Sequence, residues 1–318
     1  MTTLTERLDD YIAMRRSLGY DLSFSARVLR GFTAFADQGG ADHITVDLFL
    51  RWKKDFGRAS NNTWSARLGM VRVFARWLQG HDERTEVPPP GLIVGKLRRG
   101  KPHIYSDAEV TQIVERAAKL PSCYGIRGWT CSTLFGLIAI TGLRISEAVG
   151  LDDVDIDLDQ GVITVKRGKN GKARFVPLAP SAVARLTAYR AECERLLGPT
   201  PGPFFRIESG ERPTDCCARY NFAAVSQHLG LREEQLFGKH GRGPRIHDLR
   251  HTFAVRTIMD WYRQGLDPDR EMIKLTTYLG HSKPENTYWY IEAVPELLQL
   301  ASERAERSLA AANKGAAR

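Results

Sequence analysis

The chain has 318 residues, 42% of them hydrophobic and 26% charged, and its 46 Lys plus Arg against 37 Asp plus Glu leave a net charge of +9. That length suits two domains of roughly 100–200 residues, and no apolar run approaches the roughly 18 residues of a membrane span. A membrane protein is therefore excluded.

Met1-Thr2-Thr3-Leu4 has neither a basic nor an apolar region, so no secretory signal is expected and the anticipated location is cytoplasmic. Cys123, Cys131, Cys193, Cys216 and Cys217 include no C-x-x-C pair, which argues against a disulfide framework and a zinc site. The positive surplus points to an anionic partner, most often nucleic acid.

The first 80 or so residues read as a compact helical domain. Leu4, Leu8, Tyr11, Ile12 and Leu18 recur at helical spacing, as do Val28, Phe32, Phe35 and Ala36 before Gly39-Gly40. A third helix is predicted after Thr45 with Leu48, Phe49 and Trp52. A fourth follows Trp64, Leu68, Val71, Ala75 and Leu78 to Gly80. Arg72 and Arg76, one turn apart beside that stripe, are candidate phosphate contacts. Between 81 and 105 the periodicity gives way to charges, glycines and Pro88-Pro89-Pro90, the composition of a linker. Its cations Lys96, Arg98, Arg99 and Lys101 are candidates to track a DNA backbone. The domains are accordingly placed at 1–85 and 105–318, with a basic linker over 86–104.

Ser106-Asp107-Ala108-Glu109 is a capping box opening a helix with Val110, Ile113 and Val114. An apolar helix is predicted from about Thr130 to Ile140, broken at Thr141-Gly142, with another beginning near Arg144. From Val154 to Leu178 the period becomes two. Val162–Val165 and Ala173–Val176 flank Gly168-Lys169-Asn170-Gly171, and the Asn-Gly pair signals a hairpin. Helical patterns resume after Ala179, and the Ala-rich tail from Leu309 reads as disordered.

Four segments carry polar residues that packing alone does not require. They are Thr141-Gly142-Leu143-Arg144-Ile145-Ser146-Glu147, Lys169 at the hairpin tip, Arg245-Ile246-His247-Asp248-Leu249-Arg250-His251, and Leu279-Gly280-His281-Ser282 with Tyr290 nine residues after the histidine. His247 and Arg250 share one helix face at i and i+3. In this order the segments resemble the tyrosine recombinase (phage integrase) family, over about 105 to 295. The first domain also looks like that family's core-binding domain.

The resemblance implies a mainly α fold with a small β-hairpin or sheet. Its two parts would be a helical, SAM-like core-binding domain and a mixed α+β catalytic domain. It implies a site-specific recombinase or integrase, serving a mobile element, that cleaves and rejoins DNA through a 3′-phosphotyrosine. Arg144, Lys169, His247, Arg250, His281 and Tyr290 would be the catalytic residues, with Glu147 in support. Double-stranded DNA would be the partner, bound by a homotetramer on two sites with or without companion recombinases. Tyr288 and Lys172 are the register rivals of Tyr290 and Lys169, and His251 reads as a packing histidine. The final helix, from Pro295, is expected to dock on a neighbouring protomer.

These residue types suit phosphoryl transfer. Guanidiniums of Arg144 and Arg250 can bond non-bridging oxygens bidentately and stay charged at any working pH. Tyrosine, with a pKa near 10, is only about 0.1% ionised at neutrality and needs cations or a base, with His247 the candidate acceptor. Lys169 would protonate the leaving 5′-oxygen and His281 would hold a non-bridging oxygen. No metal or other cofactor is expected, because side chains supply the cations. A type IB-like topoisomerase and a catalytically inactive DNA-binding regulator are the alternatives. The first would relax DNA without exchange; the second would form no covalent adduct.

Overall fold

The computed structural model describes residues 2–57, 59–96, 100–166, 173–199, 201–234, 243–281 and 283–316, with backbone alone for 292, 293 and 307–316. The chain is mostly helical with one small sheet. It divides into two compact units, Met1–Gly100 and Lys101–Arg318.

The first unit holds α1 (Leu4–Ser17), α2 (Ser23–Gln38), α3 (Val46–Asp55) and α4 (Asn61–Gln79). Thr3, Thr45 and Ser60 each accept from a backbone N–H of the first turn, which satisfies a donor the helix itself cannot. Phe32, Phe49, Trp52, Trp64 and Phe74 fill the centre, with Trp52 and Trp64 edge to face at 5.1 Å. Leu18, expected on the α1 stripe, instead caps that helix and is exposed, because the helix stops at Ser17. The segment read as a linker lies along this unit as far as residue 96. Val87, Leu92 and Ile93 pack against its core, Glu86 N–H donates to Ile44 O at 2.7 Å, and Asn62 Nδ2 donates to Lys96 O at 3.1 Å. Prolines stiffen that path, and the apolar residues between them give it a surface to lie on.

The second unit comprises α5 (Asp107–Ala118), α6 (Ile126–Thr141), α7 (Ile145–Val149), a 3-10 turn (Asp153–Asp155), β1 (Ile156–Asp157), β2 (Val162–Val165), β3 (Arg174–Pro177), α8 (Pro180–Leu197), α9 (Asp215–His228), α10 (Ile246–Gln264), α11 (Pro268–Tyr278), α12 (Glu285–Ala293) and α13 (Pro295–Ala316). The strands form an antiparallel sheet in the order β1-β2-β3, with Ile163 opposite Val176 and both buried. The helix α6 is apolar nearly all round, as a helix packed on several sides must be. One core surrounds it. A second joins α10 to α11–α13 through Val255, Ile258, Met272, Leu275, Tyr290 and Leu297.

The tail read as disordered continues α13 to Ala316, in keeping with the high helix propensity of alanine. That helix packs on α10 of its own chain, with Leu297 fully buried. No helix among the described residues is long and apolar enough to cross a membrane.

Candidate active site

A glycine positions the first arginine. Gly142 ends α6 with φ +63°, its N–H bonded to Ile138 O, and a Cβ there would lie 2.5 Å from the Phe253 ring. Only glycine fits a left-handed corner that tight. The corner turns the chain so that Arg144 becomes the N-cap of α7, where its N–H donates to Glu147 Oε2 at 2.9 Å. The Arg144 guanidinium then folds over the same carboxylate, Nη1 to Glu147 Oε1 at 2.8 Å, while Nη2 donates to Gly280 O at 3.0 Å.

Glu147 is buried and meets a second fork. Arg174 on β3 donates Nη1 to Oε1 at 3.0 Å and Nη2 to Oε2 at 2.7 Å, with Arg250 Nη1 a further 4.0 Å from Oε2. Burial pushes the Glu147 carboxyl up, but the Arg174 bonds, the Arg144 N–H and both charges outweigh it and hold the pKa down at about 2.

Arg250 lies deeper, 1% exposed on the inner face of α10. Its Nη1 donates to Gly142 O at 2.6 Å, and Nη2 to Leu279 O at 2.7 Å and to His281 Nε2 at 3.1 Å. Burial and the neighbouring Arg144 pull it down to about 10, which leaves it charged at neutrality.

Arginine can only donate, so His281 Nε2 accepts and the imidazole proton sits on Nδ1, 2.7 Å from Thr287 Oγ1. Thr287 is bonded in turn to Thr276 Oγ1 at 3.0 Å, whose own proton goes to Met272 O at 2.7 Å. Burial, then Arg250 and Arg144, lower the His281 pKa to about 3.

Tyr290, on α12, is 2% exposed, and its hydroxyl is hydrogen-bonded to His251 Nδ1 at 3.1 Å. Its ring faces that of His281 at 6.4 Å. His247 keeps an open edge and stands 4.6 Å from His251 between ring centres. Burial and surrounding charge lower both, His247 to about 4 with Arg250 next in effect, and His251 to about 3 with His247 next. Tyr288, by contrast, is 39% exposed, and its hydroxyl lies 3.5 Å from Asp269.

Arg144, Glu147, Arg250, His281 and Tyr290 are thus gathered from three of the four segments, with His247 at the rim. Lys169, its rival Lys172, Arg98 and Arg99 lie outside the described residues. Lys96, Lys101 and Arg76 are exposed, whereas half-buried Arg72 donates Nη1 to Pro88 O and so anchors the Pro-rich segment. Among the described residues no cluster of His, Cys, Asp and Glu could hold a metal ion.

Three residues escaped the sequence reading: Arg174, Thr287 and, in its contact with Tyr290, His251. A signal for Arg174 existed, since it shares a strand face with buried Val176. Thr287 had none.

Because Glu147 is buried among guanidiniums, Glu147→Gln leaves positive charge uncompensated. The expected loss of unfolding free energy is about 3–5 kcal/mol, read from urea denaturation at pH 7. A loss under about 1 kcal/mol would show that solvent reaches the cluster.

The family model described as "Phage integrase family" matches residues 105–296. A Sinorhizobium fredii protein named as an integrase/recombinase, y4rB, is 37% identical over 312 residues, covering 96% of this chain and 98% of that one. The tyrosine recombinase XerC of Xanthomonas campestris is 29% identical over 251 residues, covering 77% of this chain and 69% of its own. Among solved structures, the Tn1549 transposon integrase in complex with transposon right-end DNA superposes with a TM-score of 0.64 at 17% identity, covering 96% of this chain and 99% of that one, a likeness of fold.

Proposed function

The chain belongs to the phage integrase family of tyrosine recombinases, and from that membership we propose how its residues cut and rejoin double-stranded DNA at specific sites. The observation that carries the proposal is the convergence of Arg144, Arg250, His281 and Tyr290 on one basin with a surplus of positive charge.

A scissile phosphodiester gains negative charge as tyrosine attacks. Arg144, the more open of the two arginines, and Arg250 beneath it stabilise that charge on the non-bridging oxygens. His281 joins them once its Nε2 turns from accepting to donating. The arriving phosphate favours that change, because an anion raises the pKa that the arginines depress. The phenol proton leaves to an imidazole. His251 is bonded to the hydroxyl and His247 adjoins it, so we assign acceptance to the pair in place of His247 alone. Lys169 protonates the departing 5′-oxygen.

The tyrosine oxygen bonds phosphorus as the P–O5′ bond breaks, so the phosphodiester is exchanged and not hydrolysed. A 5′-hydroxyl from a second strand then reverses the step without ATP.

The protein binds DNA and acts as an oligomer. Each protomer carries one Tyr290, and exchange between two duplexes breaks four strands, so a tetramer on two sites is the assembly that supplies enough nucleophiles. The element served is proposed to be mobile DNA.

The test uses a nicked duplex carrying the recombination site, in which the short fragment bearing the freed 5′-hydroxyl diffuses away. A denaturant-resistant adduct on the 3′ end of the cut strand is expected, together with strand exchange between two sites. Relaxation of site-free plasmid without exchange would favour the topoisomerase reading, and absence of any adduct would favour the inactive regulator.

A further inference from the structure

Arg174 is built into the site through bonds to the protein itself. Its Nη1 and Nη2 bind both oxygens of Glu147, its Nε donates to Tyr278 O at 2.7 Å, and its side chain is only 10% exposed. Three of its five N–H donors are thus held by protein oxygens, two of them by one carboxylate. Its neighbours, however, are the parts that do the chemistry. Arg144 shares Glu147 Oε1 with it, and both guanidiniums press on Gly280, where an added Cβ would lie 3.1 Å from Arg174 Nη1 and 3.6 Å from Arg144 Nη1. Gly280 has φ +62° and directly precedes His281. In the sequence, Arg174 follows Lys169 by five residues.

We propose that Arg174 is a positioning residue for DNA cleavage, which neutralises and clamps Glu147 so that the Arg144 guanidinium keeps both its direction and its charge for the scissile phosphate. This rests on the reading of Arg144 as a phosphate ligand. The physical reason is competition for one carboxylate. With Arg144 alone beside it, Glu147 would cancel the charge the phosphate needs and draw the guanidinium down against α7. A second fork satisfies the carboxylate from the far side, and three guanidiniums around one anion leave a local surplus of two charges. Its bond to Tyr278 O simultaneously ties β3 to the turn carrying His281. Lysine would preserve the charge but could not fork two oxygens and reach a carbonyl at once.

The experiment measures single-turnover formation of the phosphotyrosine adduct with saturating full-length protein, alongside DNA affinity and thermal unfolding. Arg174→Lys is expected to bind DNA within about 2-fold of the parent and to cleave about 10–100-fold more slowly, the order expected for displaced catalytic groups. The losses should not multiply: Arg144→Ala with Arg174→Lys should cleave no more slowly than Arg144→Ala alone. A parental cleavage rate in Arg174→Lys, or multiplying losses, overturns the proposal. If Arg174→Lys unfolds, the pair Glu147→Gln with Arg174→Gln removes both partners of this one ion pair together. That pair keeps the same surplus of two charges and loses only the clamp, so it should fold and still cleave at least about 10-fold slowly; a parental rate there shows that the clamp does not set the direction of Arg144 and overturns the proposal. Adduct formation by the parent and slow cleavage by Arg144→Ala serve as controls. If those fail, the catalytic reading has failed; if they hold, a parental rate counts against the role of Arg174 alone.

Discussion

Tyr290→Phe is expected to bind the recombination site with unaltered affinity and to form no covalent adduct, a loss of at least about 10⁵-fold, as is usual when a covalent nucleophile is removed. Phenylalanine keeps the ring that packs in the α10–α13 core and forfeits one hydrogen bond to His251, a matter of about 1 kcal/mol. The variant should therefore stay folded. Tyr288→Phe is the matched control. Its hydroxyl points to the surface near Asp269, so its adduct should form at the parental rate. Denaturing electrophoresis of labelled DNA after incubation with each variant reads both outcomes. An adduct with Tyr290→Phe and none with Tyr288→Phe would move the nucleophile by two residues, to a side chain on the outer face of α12.

The second large effect belongs to Lys169, which lies outside the described residues, so the expectation comes from the hairpin sequence and the chemistry. If it protonates the leaving 5′-oxygen, Lys169→Ala should cleave ordinary DNA about 10²–10⁴-fold slowly. With sulfur in place of the bridging 5′-oxygen the leaving group is a thiolate, whose pKa near 8.5 makes a proton donor largely unnecessary. Lys169→Ala should then cleave nearly as fast as the parent. Arg144→Ala and Arg250→Ala should gain no such rescue, since the charge they stabilise lies on the non-bridging oxygens. Rescue of Lys172→Ala instead would assign the acid to the second lysine of the turn. Rescue of neither would leave the hairpin a role in holding DNA.

Much of this protein was legible in order along the chain. Helical spacing marked the four helices of the first unit, because burial of one face imposes a period that composition cannot hide. Gly142 marked a corner, since few residues tolerate such backbone angles. Arg144, Glu147, Arg250, His281 and Tyr290 stood out because charged or reactive side chains beside apolar runs need a reason to be there.

What the linear order could not convey was who meets whom. Leu18 obeyed the α1 periodicity and still lies in solvent, because only the end of the helix decides whether a stripe continues. Arg72 read as a candidate phosphate contact, and its bond to Pro88 O, sixteen residues away in sequence, had no local signal. The Ala-rich tail carries too few large apolar residues to predict a core contact, yet α13 is already anchored upstream by Leu297. The hydrogen bond from Tyr290 to His251 and the double fork on Glu147 join residues 39 and 27 positions apart. Spacing within one helix or strand is fixed by local geometry and can be read from the sequence. Distances between elements depend on how their faces close over shared cores, and that closure placed Arg174 against Glu147.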